Sequence, residues 1–184
     1  ELLHEVEQVY RGESLLPPTA YELYLEQMAA SRNDVADNFW REHFRGFEPS
    51  AFPELTGKSP KFRKRLTKRL IYSEALPLPL SVIEAKCKQL AVSLLTLGHA
   101  AWTKLLAMYI GRTDICFGNV YSGRTLPIDG LERLVAPCFN TLPVRVNVSA
   151  LEQNSNLMRA LQDFNANVLP FQLTPLRRIQ SRLV

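Results

Sequence analysis

Residues 114–148 read DICFGNVYSGRTLPIDGLERLVAPCFNTLPVRVNV. Two runs rich in β-branched and aromatic side chains, Ile115 to Tyr121 and Phe139 to Val148, flank a connection dense in turn residues and partly helical in pattern. Inside it, Val120-Tyr121-Ser122-Gly123-Arg124 and Cys138-Phe139-Asn140-Thr141-Leu142-Pro143 put small and polar groups where a strand alone would carry apolar ones. Departures of that kind mark sites and special backbone geometry.

Helical patterns surround this stretch. Upstream, Ser93 can cap a helix through Leu97, Ala101, Leu105 and Met108 that Gly111 ends, and Ser81 can cap another through Val82, Ile83, Cys87 and Leu90. The first of these is apolar nearly all round, which predicts burial between a sheet and other helices. Leu2, Leu3, Val6, Val9 and Tyr10 recur at helical spacing before a stop at Gly12. Thr19 is placed to cap a helix with Tyr21, Leu23, Tyr24, Leu25 and Met28. A third begins near Asn33 or Asp34, carries Phe39, Trp40, His43 and Phe44, and closes at Gly46. Downstream, a helix from about Ser155 turns Leu157, Leu161, Phe164 and Val168 inward until Pro170, and Thr174-Pro175 opens one more. Helices alternating with a few strands predict a single α/β domain over 1–184, a sandwich in which a mixed sheet is covered by helices.

The totals bound the function. A chain of 184 residues, 46% apolar and 22% charged, has the length and composition of a globular domain with a sizeable core. Its longest apolar stretch, Leu94 to Ile110, is broken by His99, Thr103 and Lys104, so it reads as a buried helix and no membrane association is expected. Cys87, Cys116 and Cys138 are odd in number, widely separated and without metal-ligand spacing, which suggests a reducing, cytoplasmic setting and neither a disulfide framework nor a metal site. Much of the net charge of +4 comes from Lys58 to Arg69. With aromatic interleaving limited to Phe62 and Tyr72, that run reads as a solvated, charge-protected strand edge in preference to a nucleic-acid site.

The two segments of the opening stretch resemble the C-terminal lobe of condensation domains from nonribosomal peptide synthetases. In that family a Ser-Gly-Arg turn precedes a Phe-(Val)-Asn-Thr-Leu-Pro-x-Arg strand. Here Ser122-Gly123-Arg124 and Phe139-Asn140-Thr141-Leu142-Pro143-Val144-Arg145 fall in that order at the right interval. The resemblance implies a chloramphenicol-acetyltransferase-like lobe, a two-layer α/β sandwich. Two such lobes would form a V whose tunnel admits two pantetheine arms. It also implies a strand over Phe62 to Tyr72, a stretch whose spacing alone fits helix as well. Ala136-Pro137-Cys138 departs from the commoner glycine-led form, and Pro137 removes a donor, so local strand pairing there is expected to change.

The family signature His-His-x-x-x-Asp-Gly is not in this sequence, whose histidines are His4, His43 and His99. The helix from Leu2 to Tyr10 resembles the one that follows that signature, so the motif is expected upstream and the lobe is expected to continue past both ends. No catalytic residue is therefore assigned, and the chain alone is expected to be inactive even where the parent is an acyltransferase-type condensation enzyme. His99, on an apolar helix, reads as a hydrogen-bonded core histidine. Ser122 lacks the Gly-x-Ser-x-Gly setting of a nucleophile and reads, with Gly123, as a turn. Arg124 faces a phosphate or the tunnel, or anchors its turn through Asp129 or Glu132. Asn140 and Thr141 need partners if buried, and a link to the neighbouring lobe or tunnel wall is the first reading. Ser122, Gly123, Arg124, Asn140 and Thr141 are thus the candidate tunnel or lobe-interface residues.

The leading expectation is amide-bond formation between a carrier-bound acyl or peptidyl thioester and a carrier-bound amine, this lobe supplying a tunnel wall and carrier docking. The implied partners are the N-terminal lobe, acidic peptidyl carrier domains and an adjacent adenylation domain. No cofactor is expected to bind directly, the phosphopantetheine arm arriving on the carriers. A partial domain that docks carriers without chemistry is the alternative. A small acyltransferase of the same superfamily is disfavoured by the paired motifs. An exposed lobe face and severed sheet edge would promote self-association of the isolated chain.

Overall fold

The computed structural model describes residues 1–53, 71–150 and 153–182. The order is α1 (Leu2–Tyr10), α2 (Tyr21–Ala30), α3 (Asp34–His43), α4 (Leu80–Gln89), α5 (Leu94–Ile110), β1 (Asp114–Tyr121), β2 (Asn140–Asn147), α6 (Asn154–Asn167) and α7 (Leu176–Arg182). This is the expected α/β alternation. The basic run from Lys58 to Arg69 and all but the last two residues of the expected strand over Phe62 to Tyr72 lie outside the described residues. Ile71 and Tyr72 belong to no regular element.

Two helix starts fall where expected, near Asn33 and at the Ser93 cap. Asn33 accepts from the Ala36 N–H at 3.0 Å and starts α3, and Ser93 accepts from the Thr96 N–H at 3.1 Å and starts α5. Gly111, at φ +68°, ends α5 in the left-handed conformation. Two others are corrected. Ala20, not Thr19, is the N-cap of α2, because the Thr19 hydroxyl donates to the Gly130 carbonyl at 2.8 Å. Pro79 precedes α4, which begins at Leu80, one residue before Ser81 could cap it.

The chain clusters into two compact units, each discontinuous in sequence. The first holds Glu1–Phe47, Phe117–Arg145 and Asn167–Val184, and the second Glu48–Cys116 and Val146–Ala166. Two of the four boundaries between them fall within β1 and β2. These strands form an antiparallel two-stranded sheet, the whole of the sheet among the described residues. Its hand follows from the register: the Val148 N–H meets the Thr113 carbonyl at 2.8 Å, and Gly118 lies against Thr141. Leu142, Val144 and Val146 are buried at period two along β2.

In the first unit, Tyr24, Leu131, Leu134, Cys138 and Leu173 form one buried cluster. Beside α3, Trp40 is fully buried, packed edge-on against Phe39 and stacked on Phe44, and Phe39 stacks on Phe171 at 4.2 Å. Asp37 and Arg178 join α3 to α7 through a two-pronged contact, 2.7 Å from Nε and 2.6 Å from the guanidinium nitrogen. That contact raises the Arg178 pKa, chiefly through the hydrogen bonds that the guanidinium donates to Asp37.

The second unit corrects the expectation for α5. Its buried stripe is largely polar, with Thr96, His99 and Thr103 beside Ala100 and Leu106, while Leu95, Trp102, Leu105 and Met108 are exposed. The cause lies on α6. The Gln162 side-chain carbonyl accepts from the Thr96 hydroxyl at 2.6 Å and the Ser93 N–H at 3.0 Å, and the Asn165 amide lies 3.3 Å from the Thr96 hydroxyl and 3.5 Å from His99 Nδ1. Polar groups on one helix select polar groups on the other. His99 is accordingly a core residue in a hydrogen-bonded setting. No single helix among the described residues is long and apolar enough to cross a membrane.

Candidate functional site

The five candidate residues lie in the first unit, around the point where the chain leaves β1 and enters β2. Ser122 is exposed, and its hydroxyl accepts a long 3.4 Å hydrogen bond from the Arg124 N–H, a turn arrangement. Gly123 is buried at φ +66°. A Cβ at that position would lie 1.9 Å from the Cys138 carbonyl oxygen, so only glycine allows the two motif segments to meet.

Arg124 does not pair with Asp129 or Glu132. Its guanidinium donates to the carbonyls of Leu131 at 2.7 Å, Leu134 at 2.8 Å and Ala136 at 3.2 Å, three main-chain acceptors along the connection between the strands. A planar cation with several donors suits this arrangement, which satisfies carbonyls that have no ladder to join. An open groove of about 780 Å³ runs beside it, lined by Leu2, Glu132, Leu134, Val135 and Pro137.

Asn140, the first residue of β2, donates through its amide to the carbonyls of Gln172 at 2.9 Å and Thr174 at 2.8 Å. The Gln172 amide in turn donates to the Thr125 hydroxyl at 2.8 Å. Asn140 therefore ties β2 to the turn that opens α7 and, through Gln172, to the residue after Arg124. Thr141 turns its methyl toward Gly118, where an added Cβ would lie 3.0 Å from it. A side chain at 118 would displace that methyl. Phe139 is left outside the strand and exposed.

Two further residues belong to the same constellation but were not among the candidate site residues. Tyr24, on α2, donates its hydroxyl to the Cys138 carbonyl at 2.5 Å, and burial pushes its pKa up. Arg145 donates to the carbonyls of His43 at 2.8 Å and Arg45 at 3.0 Å while lying 5.2 Å from the centre of the Phe47 ring. The motif included Arg145, but spacing gave no hint that its partners are the last carbonyls of α3. For Tyr24 the only available signal was a hydroxyl at an inward helical position.

None of the three histidines stands among these residues as an evident base. His4 is exposed on α1, His99 is in the core of the second unit, and His43 packs among Phe39, Trp40 and Phe44. The constellation is built to hold backbone: four side chains, Tyr24, Arg124, Asn140 and Arg145, donate to main-chain carbonyls, Gln172 holds the Thr125 hydroxyl, and a groove with an arginine at its edge lies beside them.

Known proteins share both the sequence and this architecture. Nonribosomal peptide synthetase 2 of Cochliobolus heterostrophus is 46% identical over 179 residues, which is 97% of this chain and 3% of that protein. The hydroxamate-type ferrichrome siderophore peptide synthetase of Schizosaccharomyces pombe is 28% identical over 179 residues, 97% of this chain and 4% of that protein. This chain thus spans only a few per cent of the length of these relatives. Among solved structures, the first condensation domain of the calcium-dependent antibiotic synthetase, in complex with a substrate analogue, superposes with a TM-score of 0.67 at 15% identity, covering 96% of this chain and 41% of that one. The X-domain from teicoplanin biosynthesis gives 0.65 at 19%, covering 95% and 41%. Those likenesses establish the fold, the chloramphenicol-acetyltransferase-like type read from the motifs. The condensation domain profile matches residues 2–184, and the chain belongs to the condensation domain family of nonribosomal peptide synthetases.

Proposed function

We propose that this chain is most of the C-terminal lobe of a condensation domain and takes part in forming an amide bond between a carrier-bound acyl or peptidyl thioester and a carrier-bound amine. The carrying observation is that the Ser122-Gly123-Arg124 turn meets the Cys138 carbonyl just ahead of Asn140-Thr141, with Arg124 lining the adjoining groove. Arg124 ties down the connection between the motifs, and Asn140 ties β2 to the turn before α7. Tied-down backbone of this kind holds a long, flexible thioester arm in place without itself reorganising.

The chemistry requires the acceptor amine to attack the thioester carbonyl, the C–N bond forming as the carrier thiolate leaves and the amine proton is taken up. An imidazole serves either as base or as organiser of the amine and the tetrahedral intermediate. The positions of His4, His43 and His99 favour an imidazole supplied from outside these 184 residues. The partners of this reading are an N-terminal lobe, acidic peptidyl carrier domains bearing phosphopantetheine arms, and an adjacent adenylation domain. The net charge of +4 suits acidic carriers. A cytosolic setting fits three cysteines that form no disulfide.

The test supplies loaded donor and acceptor carriers to the synthetase that contains this segment and, separately, to the 184-residue chain, with amide product followed by mass spectrometry. Product from the first and none from the second is expected. Carrier binding without product from the first supports a docking-only domain, and product from the chain alone overturns the assignment of the imidazole elsewhere.

A further inference from the structure

Tyr24 lies far in sequence from both motifs yet meets them where they touch. Its ring sits in the cluster with Leu131, Leu134 and Leu173, only 4% exposed, and its hydroxyl donates to the Cys138 carbonyl. That same carbonyl faces the Gly123 turn. A Cβ on Gly123 would fall 2.9 Å from the Tyr24 hydroxyl as well as 1.9 Å from the carbonyl oxygen. One hydroxyl, one carbonyl and one side-chain-free turn thus occupy a single point of contact.

The connection between the motifs is secured in two places. Arg124 fixes the carbonyls of Leu131, Leu134 and Ala136, and two residues later Tyr24 fixes that of Cys138. Pro137, between them, has no N–H with which to hold the segment itself. Ala136 and Pro137 also line the groove beside Arg124. The position of the Cys138 carbonyl therefore sets how near the groove's wall comes to the Ser122–Arg124 turn.

We infer that Tyr24 is a positioning residue, whose hydroxyl sets the approach of the Ser122–Arg124 turn to the Cys138–Asn140 segment and so the fit of carrier-borne substrate in the adjoining groove. This rests on the functional reading above. The Tyr24 hydroxyl is buried and spent on a backbone carbonyl, so it acts on binding more than on the chemical step.

Tyr24→Phe keeps the ring in its cluster and removes only the donor, leaving a buried acceptor unpaired. In the synthetase containing this segment, KM for the loaded acceptor carrier rises about fivefold, the ratio that corresponds to one lost hydrogen bond, and kcat stays within about twofold. In the same protein, alkylation of Cys138 by iodoacetamide, read by peptide mass spectrometry, becomes several-fold faster, while Cys87 and Cys116 react as before. Unchanged KM together with unchanged Cys138 labelling overturns the inference, as does a fall in kcat with KM constant. Should the unsubstituted synthetase form no amide bond, the functional reading fails. The labelling comparison then still decides whether Tyr24 holds this segment in place.

Discussion

The guanidinium of Arg145 reaches the carbonyl of His43 across 102 residues of sequence, closing the last turn of α3 from the middle of β2 at 2.8 Å. A second bond to the Arg45 carbonyl and the nearby Phe47 ring complete the seat. Arg145→Met is expected to lower stability by about 1–3 kcal/mol, the range for removing a charged donor from paired acceptors. Arg145→Lys recovers only part, since an ammonium lacks the planar face that meets Phe47. Urea denaturation of both variants checks the ordering.

Gly46 and Gly123 share a left-handed backbone, at φ +69° and +66°, but differ in surroundings: nothing lies within 4 Å of a Cβ on Gly46, whereas one on Gly123 strikes the Cys138 carbonyl. Gly46→Ala is expected to cost about 1 kcal/mol from backbone strain alone. Gly123→Ala should cost at least about twice as much, because a fixed carbonyl must move. Equal denaturation midpoints would contradict the close approach.

Asn140 uses one amide nitrogen on two carbonyls, so it needs a donor and not simply a polar group. Asn140→Ala should cost about 1–2 kcal/mol. Asn140→Asp should be worse at neutral pH, with an anionic carboxylate aimed at two carbonyl oxygens. Folding then favours the protonated acid and raises its pKa, so the stability it contributes is present at acidic pH and lost as pH rises through that value. Thermal melts at pH 4 and pH 7 should show the Asp variant moving closer to the unsubstituted chain at the lower pH.

Burial raises the pKa of Tyr24 and of Tyr121 above the usual tyrosine value of 10.0, the Asn119 hydrogen bond partly opposing it at Tyr121. A raised folded pKa means that the native state holds the phenol proton more tightly than the unfolded chain. The stability this contributes is complete below the unfolded value near pH 10 and is lost as pH rises through the folded values. Chemical denaturation from pH 8 to 11 should show a decline beginning near pH 10, shallower in Tyr24→Phe. A slope unaltered by that substitution would count against a buried, protonated Tyr24.

Much of the architecture could be read from side chains whose partners are local. Asn33 and Ser93 cap helices because their acceptors serve an N–H three residues away, and Gly111 stops α5 because its backbone alone accepts the left-handed turn. Thr19 misled because its hydroxyl answers Gly130, 111 residues on. The same applies to α5, whose composition pointed to an apolar buried face while Gln162 and Asn165 selected its threonines and His99 instead. At the candidate site the motifs singled out two segments that meet in space, yet the partners of Arg124, Asn140 and Tyr24 are main-chain carbonyls. Every residue carries that group, so no side-chain pattern announces it.

The chain's two tryptophans report on different halves of the molecule. Trp40, without exposed surface, belongs to the first compact unit, and Trp102, 47% exposed on α5, to the second. A shielded indole emits at shorter wavelength and resists acrylamide, whereas a wet one emits at longer wavelength and is quenched. Nature has thereby labelled each unit with its own fluorophore, and a single denaturation series, read at the blue and red edges of the emission band, reveals whether the two melt together or in succession.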